Sequence, residues 1–142
     1  MPRTTERLVK LLLLASLGAC SDPGAPAPPG VSVKPTLTDL QAKIFTPKCA
    51  QGGCHNAKDA GLAYDLALDA SQTSWQELVG VKAQGQTGWT LVVPGQPDQS
   101  FLLWTLQKPA DIVPRMPLGG PYLTASDIDA VRQWIAKGAP AD

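Results

Sequence analysis

The chain has 142 residues with 12 Lys+Arg, 12 Asp+Glu and one histidine, for a formal charge of zero. Balanced charge without a basic cluster argues against nucleic acid as a partner, and the length suits one small domain. Four tryptophans among 14 prolines and 13 glycines describe a small core with irregular connections, the kind that often needs a cofactor or crosslink to complete it.

Arg3, Arg7 and Lys10 precede the apolar run Leu11 to Leu17. That run is far shorter than the ~18 residues that identify a membrane span, so residues 1–19 read as a secretion signal. The stretch Leu17-Gly18-Ala19-Cys20 resembles the lipobox of bacterial lipoproteins, which implies cleavage before Cys20 and acylation of that residue. The competing reading is an ordinary signal with an incidental cysteine. Loss of Arg3, Arg7 and Lys10 against Glu6 leaves a formal charge of −2. Residues 20–35 hold Pro23, Pro26, Pro28, Pro29 and Pro35 and read as an extended tether, reaching up to roughly 45 Å.

The folded domain is expected over 36–142. Leu37, Leu40, Ile44 and Phe45 share one helical face, with Thr36-x-x-Asp39 or Thr38-x-x-Gln41 as caps and Pro47 as the end. Large side chains at every second position from Leu62 to Leu68 suit a short extended segment, with a helix as the competing reading. Ser74-x-x-Glu77 is expected to cap a brief helix containing Trp75, Leu78 and Val79, stopped by Gly80. Trp89 to Val93 is apolar and ends at the turn signal Pro94-Gly95-Gln96-Pro97. Asp98 or Ser100 can cap a helix over Phe101 to Leu106. A proline-rich loop from Lys108 to Pro121 surrounds Met116. The final helix has the capping box Thr124-x-x-Asp127, an apolar face of Ile128, Val131, Trp134 and Ile135, and a Gly138 stop. The expectation is a mostly α domain with long loops and a short extended segment. Asp65 and Asp69 read as solvated surface.

The segment Cys49-Ala50-Gln51-Gly52-Gly53-Cys54-His55 uses the only histidine and both cysteines outside the lipobox. Two thiols followed by an imidazole are the arrangement that attaches a haem covalently and grips its iron from one side. The usual spacing places two residues between the thiols. Here there are four, and Gly52-Gly53 makes the longer loop inexpensive. A Cys49–Cys54 disulfide is a competitor in an oxidising compartment. Zinc is handicapped, because Cys2His offers three ligands and, with Cys20 acylated, no further His or Cys remains for a fourth. Met116, the only methionine beyond the signal, lies between Pro114 and Pro117. A thioether in a proline-stiffened loop can supply a sixth ligand to haem iron, although a lone methionine is more usually core filler. Arg115 and Trp89 are candidate donors to the anionic haem propionates, against the plainer readings of a solvated charge and a core ring.

With these residues in view, the chain from about Leu37 to Ala139 resembles a single-haem class-I-type cytochrome c domain of the kind found on bacterial lipoproteins and in planctomycete-type proteins. The resemblance rests on Phe45 before the first thiol, Cys54-His55, Gly61-Leu62, Val93 to Pro97 with Ser100, Arg115-Met116-Pro117, and Trp134-Ile135 with Gly138-Ala139. It implies a small helical cytochrome c-like fold with first and last helices packed together, and one covalent haem c. Cys49 and Cys54 would carry the thioethers, His55 the proximal bond to iron and Met116 the distal one. The thiol spacing departs from the family pattern. The function implied is electron transfer, without catalysis, by a membrane-anchored lipoprotein facing the periplasm or in the outer membrane, with transient redox protein partners. The rivals are a haem-free lipoprotein with a Cys49–Cys54 disulfide acting as a binding or structural module, and a sensor in which Met116 is displaced by a gas.

Overall fold

Leu37, Leu40, Ile44 and Phe45 are all buried in the computed structural model, which describes residues 32–58, 64–107 and 114–142. The signal, Cys20 and most of the tether lie outside the described residues, as do Gly61, Leu62 and part of the proline-rich loop. The first helix, α1, begins at Leu37–Leu40 and widens without a break into a π-helix over Gln41–Cys49. Thr36 caps it by accepting from the Asp39 N–H at 3.3 Å. The wider winding brings Ile44 and Phe45 beneath Leu40 after one turn, so the apolar face survives the change of pitch.

Pro47 does not end this helix, contrary to expectation; it lies inside it. A proline ring collides with the carbonyl four residues back in an α-helix, whereas the i→i−5 winding turns that carbonyl away. The helix ends on Ala50, whose N–H donates to the Phe45 carbonyl at 2.8 Å. The folded region also begins earlier than Thr36. Val33 packs on the core and the Lys34 N–H donates to Asp39 Oδ2 at 2.8 Å, so the end of the expected tether belongs to the domain.

Three further helices follow, α2 (Ser71–Leu78), α3 (Phe101–Gln107) and α4 (Ala125–Ala136). No extended strand occurs among the described residues; isolated bridges link Val79 with Val92, Lys82 with Thr90 and Thr90 with Ser100. Two expected caps are replaced. Helix α2 starts at Ser71 after Ala70, which leaves Ser74 buried inside it. The Ser100 hydroxyl closes the preceding turn, accepting from the Val93 N–H and donating to the Gln96 carbonyl, both at 2.9 Å. Asp98 pairs with Arg132 at 2.7 Å. In the expected extended segment, Tyr64 and Asp65 instead form a turn with φ of 62° and 53°. Leu66 and Leu68 still point inward, half-buried and buried.

The ends of the domain meet. Thr38 N–H donates to the Asp142 carbonyl at 3.0 Å, and Leu37 N–H to Asp142 Oδ1 at 3.0 Å. Helix α4 has the expected capping box and buries Ile128, Val131, Trp134 and Ile135. Phe45 and Trp134 pack edge to face, centroids 6.4 Å apart at 72°. Gly138 then takes φ 94°, a left-handed turn that glycine adopts without strain. It lets Ala139 and Pro140 fold back so that their carbonyls accept from the indole N–H groups of Trp75 and Trp134, each at 2.9 Å.

Lys48 ties the first helix to the last through Asp127 Oδ2 at 2.7 Å. Partial burial pushes the Asp127 carboxyl up, but the Lys48 ammonium and the contacts with Thr124 outweigh it and hold that carboxyl below its usual range. A depressed carboxyl contributes stability that is present above its unfolded pKa of about 4 and is lost as pH falls through the folded value. Asp127→Asn removes the ion pair with Lys48 while keeping an oxygen that can accept from the Thr124 N–H. It is expected to cost about 1 kcal/mol at pH 7 in urea unfolding, with the gap to the parent narrowing below about pH 4. A pH-independent difference would rule out the charged carboxylate as its source.

Candidate functional site

Helix α1 delivers Cys49 at its last position, and the segment after it turns back sharply. The His55 N–H donates to the Cys49 carbonyl at 3.1 Å, and the Cys54 N–H to the Gln51 carbonyl at 2.9 Å. Gly53 makes the reversal possible, with φ 77° in a region that costs other residues about 1 kcal/mol or more. From the far side the Leu68 N–H donates to the His55 carbonyl at 2.7 Å. The Leu68 carbonyl in turn accepts from Gln41 Nε2 at 2.8 Å. His55 is thus held by its backbone on both sides, and Asp69 steadies the next residues by accepting from the Ala57 N–H at 3.2 Å.

Beside this segment opens a cleft walled mainly by Leu66, Leu68, Leu78, Leu91, Phe101 and Leu106. Cys49, His55 and Met116 all line it. These three residues come from the end of α1, the loop after it and the loop before α4, and Met116 lies 61 positions beyond His55. Met116 reaches the wall because its N–H donates to the Thr105 carbonyl at 3.0 Å. That carbonyl is in the last turn of α3, where helical acceptors lack a partner further along.

The two thiols differ. Both are free; Cys49 is half-buried and Cys54 is exposed. Burial pushes the Cys49 thiol up to about 12, with the nearby Lys48 opposing and Cys54 adding slightly. Cys54 does not line the cleft.

The other sequence candidates stand back from it. Trp89 packs on Phe101 and Trp104, with centroids 5.5 and 5.8 Å away, and does not itself line the cleft. Arg115 donates through Nε to the Leu106 carbonyl at 3.0 Å and lies over the Tyr122 ring, 4.3 Å to the centroid. Besides Cys49 and His55, the polar residues that border the cleft are Tyr64, Glu77, Lys82, Gln84, Gln86 and Thr105, of which Tyr64, Lys82 and Gln84 are exposed. Sequence reasoning passed over Lys82 and the two glutamines. Their one signal was alternation in Val81-Lys82-Ala83-Gln84, which places Ala83 in the core and its neighbours outward.

The residues present suit a haem. The cleft walls would shelter an apolar ring, while Lys82, Gln84 and Gln86 offer donors to carboxylates. An imidazole and a thioether are the donor pair that low-spin haem iron accepts. Among the described residues no three His, Cys, Asp or Glu side chains converge as a metal site.

Compared with models of known protein families, with curated proteins and with solved structures, the chain gives no significant match. Among the described residues no helix is long and apolar enough to cross a membrane.

The contrast between the thiols can be read in protein made without haem and kept reduced. At pH 8 only about one part in 10⁴ of Cys49 would be thiolate. Iodoacetamide should therefore modify Cys54 first, with Cys49 slower by at least about 100-fold and gaining about tenfold per pH unit. Equal labelling rates in peptide mass spectra would contradict the burial of Cys49.

Proposed function

We propose that this chain is an electron carrier with one covalent haem c, built as a small cytochrome c-like domain. The observation that carries the reading is the convergence of Cys49, His55 and Met116 on one apolar cleft. A disulfide-bonded module would need no thioether there. His55 and Met116 would hold the iron and Cys49 would tether the ring, with Cys54 reaching it as the second thiol only by turning in from outside the cleft. Bound haem would supply reversible one-electron exchange between Fe(III) and Fe(II).

The chain's own contribution is to hold and shield. The leucine walls exclude water, which keeps the site dry and favours the less charged, reduced state. Thioether rather than a second imidazole as distal donor raises the potential further and leaves no open position for substrate, so a carrier fits better than a catalyst. Lys82, Gln84 and Gln86 replace Arg115 and Trp89 as the preferred donors to the propionates. The exported setting rests on the basic-then-apolar N-terminus and Cys20, which together support a lipid-anchored protein at the periplasmic face or outer membrane. Transient encounters with redox proteins suit that placement.

Expression with a cytochrome c maturation system tests this directly. The mature protein should be coloured, show a Soret band and sharp reduced-form bands, and keep its haem through acid-acetone extraction. Colourless protein with no free thiol would overturn the reading in favour of the disulfide module. Met116→Ala should keep the haem, lose the long-wavelength charge-transfer band of the oxidised form and shift the potential downward. An unchanged spectrum and potential would remove Met116 from the iron.

A further inference from the structure

The loop that brings Met116 to the cleft begins and ends on one side chain. Arg115 Nε donates to the Leu106 carbonyl at 3.0 Å, and the adjacent Met116 N–H donates to the Thr105 carbonyl at 3.0 Å. Both acceptors belong to the final turn of α3, so two consecutive residues are stitched to the same helix end. The guanidinium also lies over the Tyr122 ring, 4.3 Å to the centroid, at the far end of the loop. Between them the Gly120 N–H donates to the Pro117 carbonyl at 2.9 Å, and Leu118 is 71% exposed. The loop therefore projects outward at its tip and is drawn in at its base.

We infer that Arg115, clamped between the Leu106 carbonyl and the Tyr122 ring, is a positioning residue that keeps the Met116 thioether on the cleft wall as a distal ligand. The inference rests on the proposed haem function and assigns Arg115 a task other than propionate binding. Its chemistry suits the task. A planar guanidinium can direct one N–H at a carbonyl while its face stacks on an aromatic ring, which an ammonium cannot do. Without the clamp, Pro117 and the glycines at 119 and 120 leave a loop base held by the Met116 N–H and one turn hydrogen bond. The thioether would then leave its place more often, and a small external ligand could enter.

The test uses mature, haem-loaded protein, with haem content measured first. Arg115→Gln removes the charge and the stacked face, Tyr122→Leu removes the ring, and Arg115→Lys keeps only the charge. Lys43→Gln is the control, since it breaks an ion pair with Asp39 on α1 and lies outside the clamp. Carbon monoxide binding to the reduced protein is expected to be about 10-fold faster in Arg115→Gln and Tyr122→Leu. Their charge-transfer band should disappear at lower urea than in the parent. Arg115→Lys should fall between, and Lys43→Gln should match the parent. If Arg115→Gln fails to load haem, Tyr122→Leu carries the test alone. Parent-like rates and bands in both clamp variants would overturn the inference while leaving the proposed function intact. An equal shift in Lys43→Gln would also overturn it, by exposing a general loss of stability. Parent protein without haem would overturn the function itself, and the inference with it.

Discussion

The edge of Trp134 against Phe45 governs where the cysteine–histidine half of the site stands. Phe45 lies one wide turn before Cys49, so fixing its ring fixes the angle at which α1 delivers the first thiol. Trp134 is fully buried, and its indole N–H holds the Pro140 carbonyl, which locks the end of the chain over the same contact. The neighbouring Ala139 carbonyl takes the Trp75 N–H and draws α2 into the assembly. Lys48 and Asp127 add a polar tie at the other end of the same helix pair. Edge-to-face rings are worth roughly 0.5–1.5 kcal/mol beyond their buried area. The larger consequence is geometric, because α1 and α4 become one rigid frame.

Against that frame, α3 does two jobs with one short helix. Phe101 and Leu106 face the cleft, while Leu103 enters the core. Its last carbonyls, which a longer helix would have used internally, accept from Arg115 and Met116. Ending the helix early thus creates the acceptors that seat the methionine loop. The bridges from Thr90 to Lys82 and to Ser100 hold the polar edge of the cleft against the start of α3. Anionic groups on a bound ring would meet Lys82 there, at the solvent side.

The leucine-walled cleft holds apolar area that a ligand would cover in so small a domain. A ligand that fills it stabilises the folded state by mass action, and a covalent one does so permanently. The same enclosure explains the Cys49 thiol, which burial holds in its neutral form.

Much of this was legible in the sequence. The apolar faces of α1 and α4, the Thr124–Asp127 capping box and the Gly138 stop follow from periodicity and local capping chemistry, whereas the alternation expected around Leu66 and Leu68 does not hold, since Ala67 between them is buried and Tyr64 is exposed. The grouping of Cys49, Cys54 and His55 was legible too, because they are neighbours in the chain. Local rules failed at three further positions. Ser100 turned from a cap to the Val93–Gln96 turn, Pro47 was absorbed by a π-helix, and Ser74 was drawn into α2. Only the tertiary structure decided that Met116 shares a wall with His55, that Cys54 stays outside that wall, and that Lys82 rather than Trp89 or Arg115 borders the cleft. The physical reason is that periodicity and caps act over one or two turns. A cleft depends on which carbonyls, rings and charges from separate segments meet once those turns are packed.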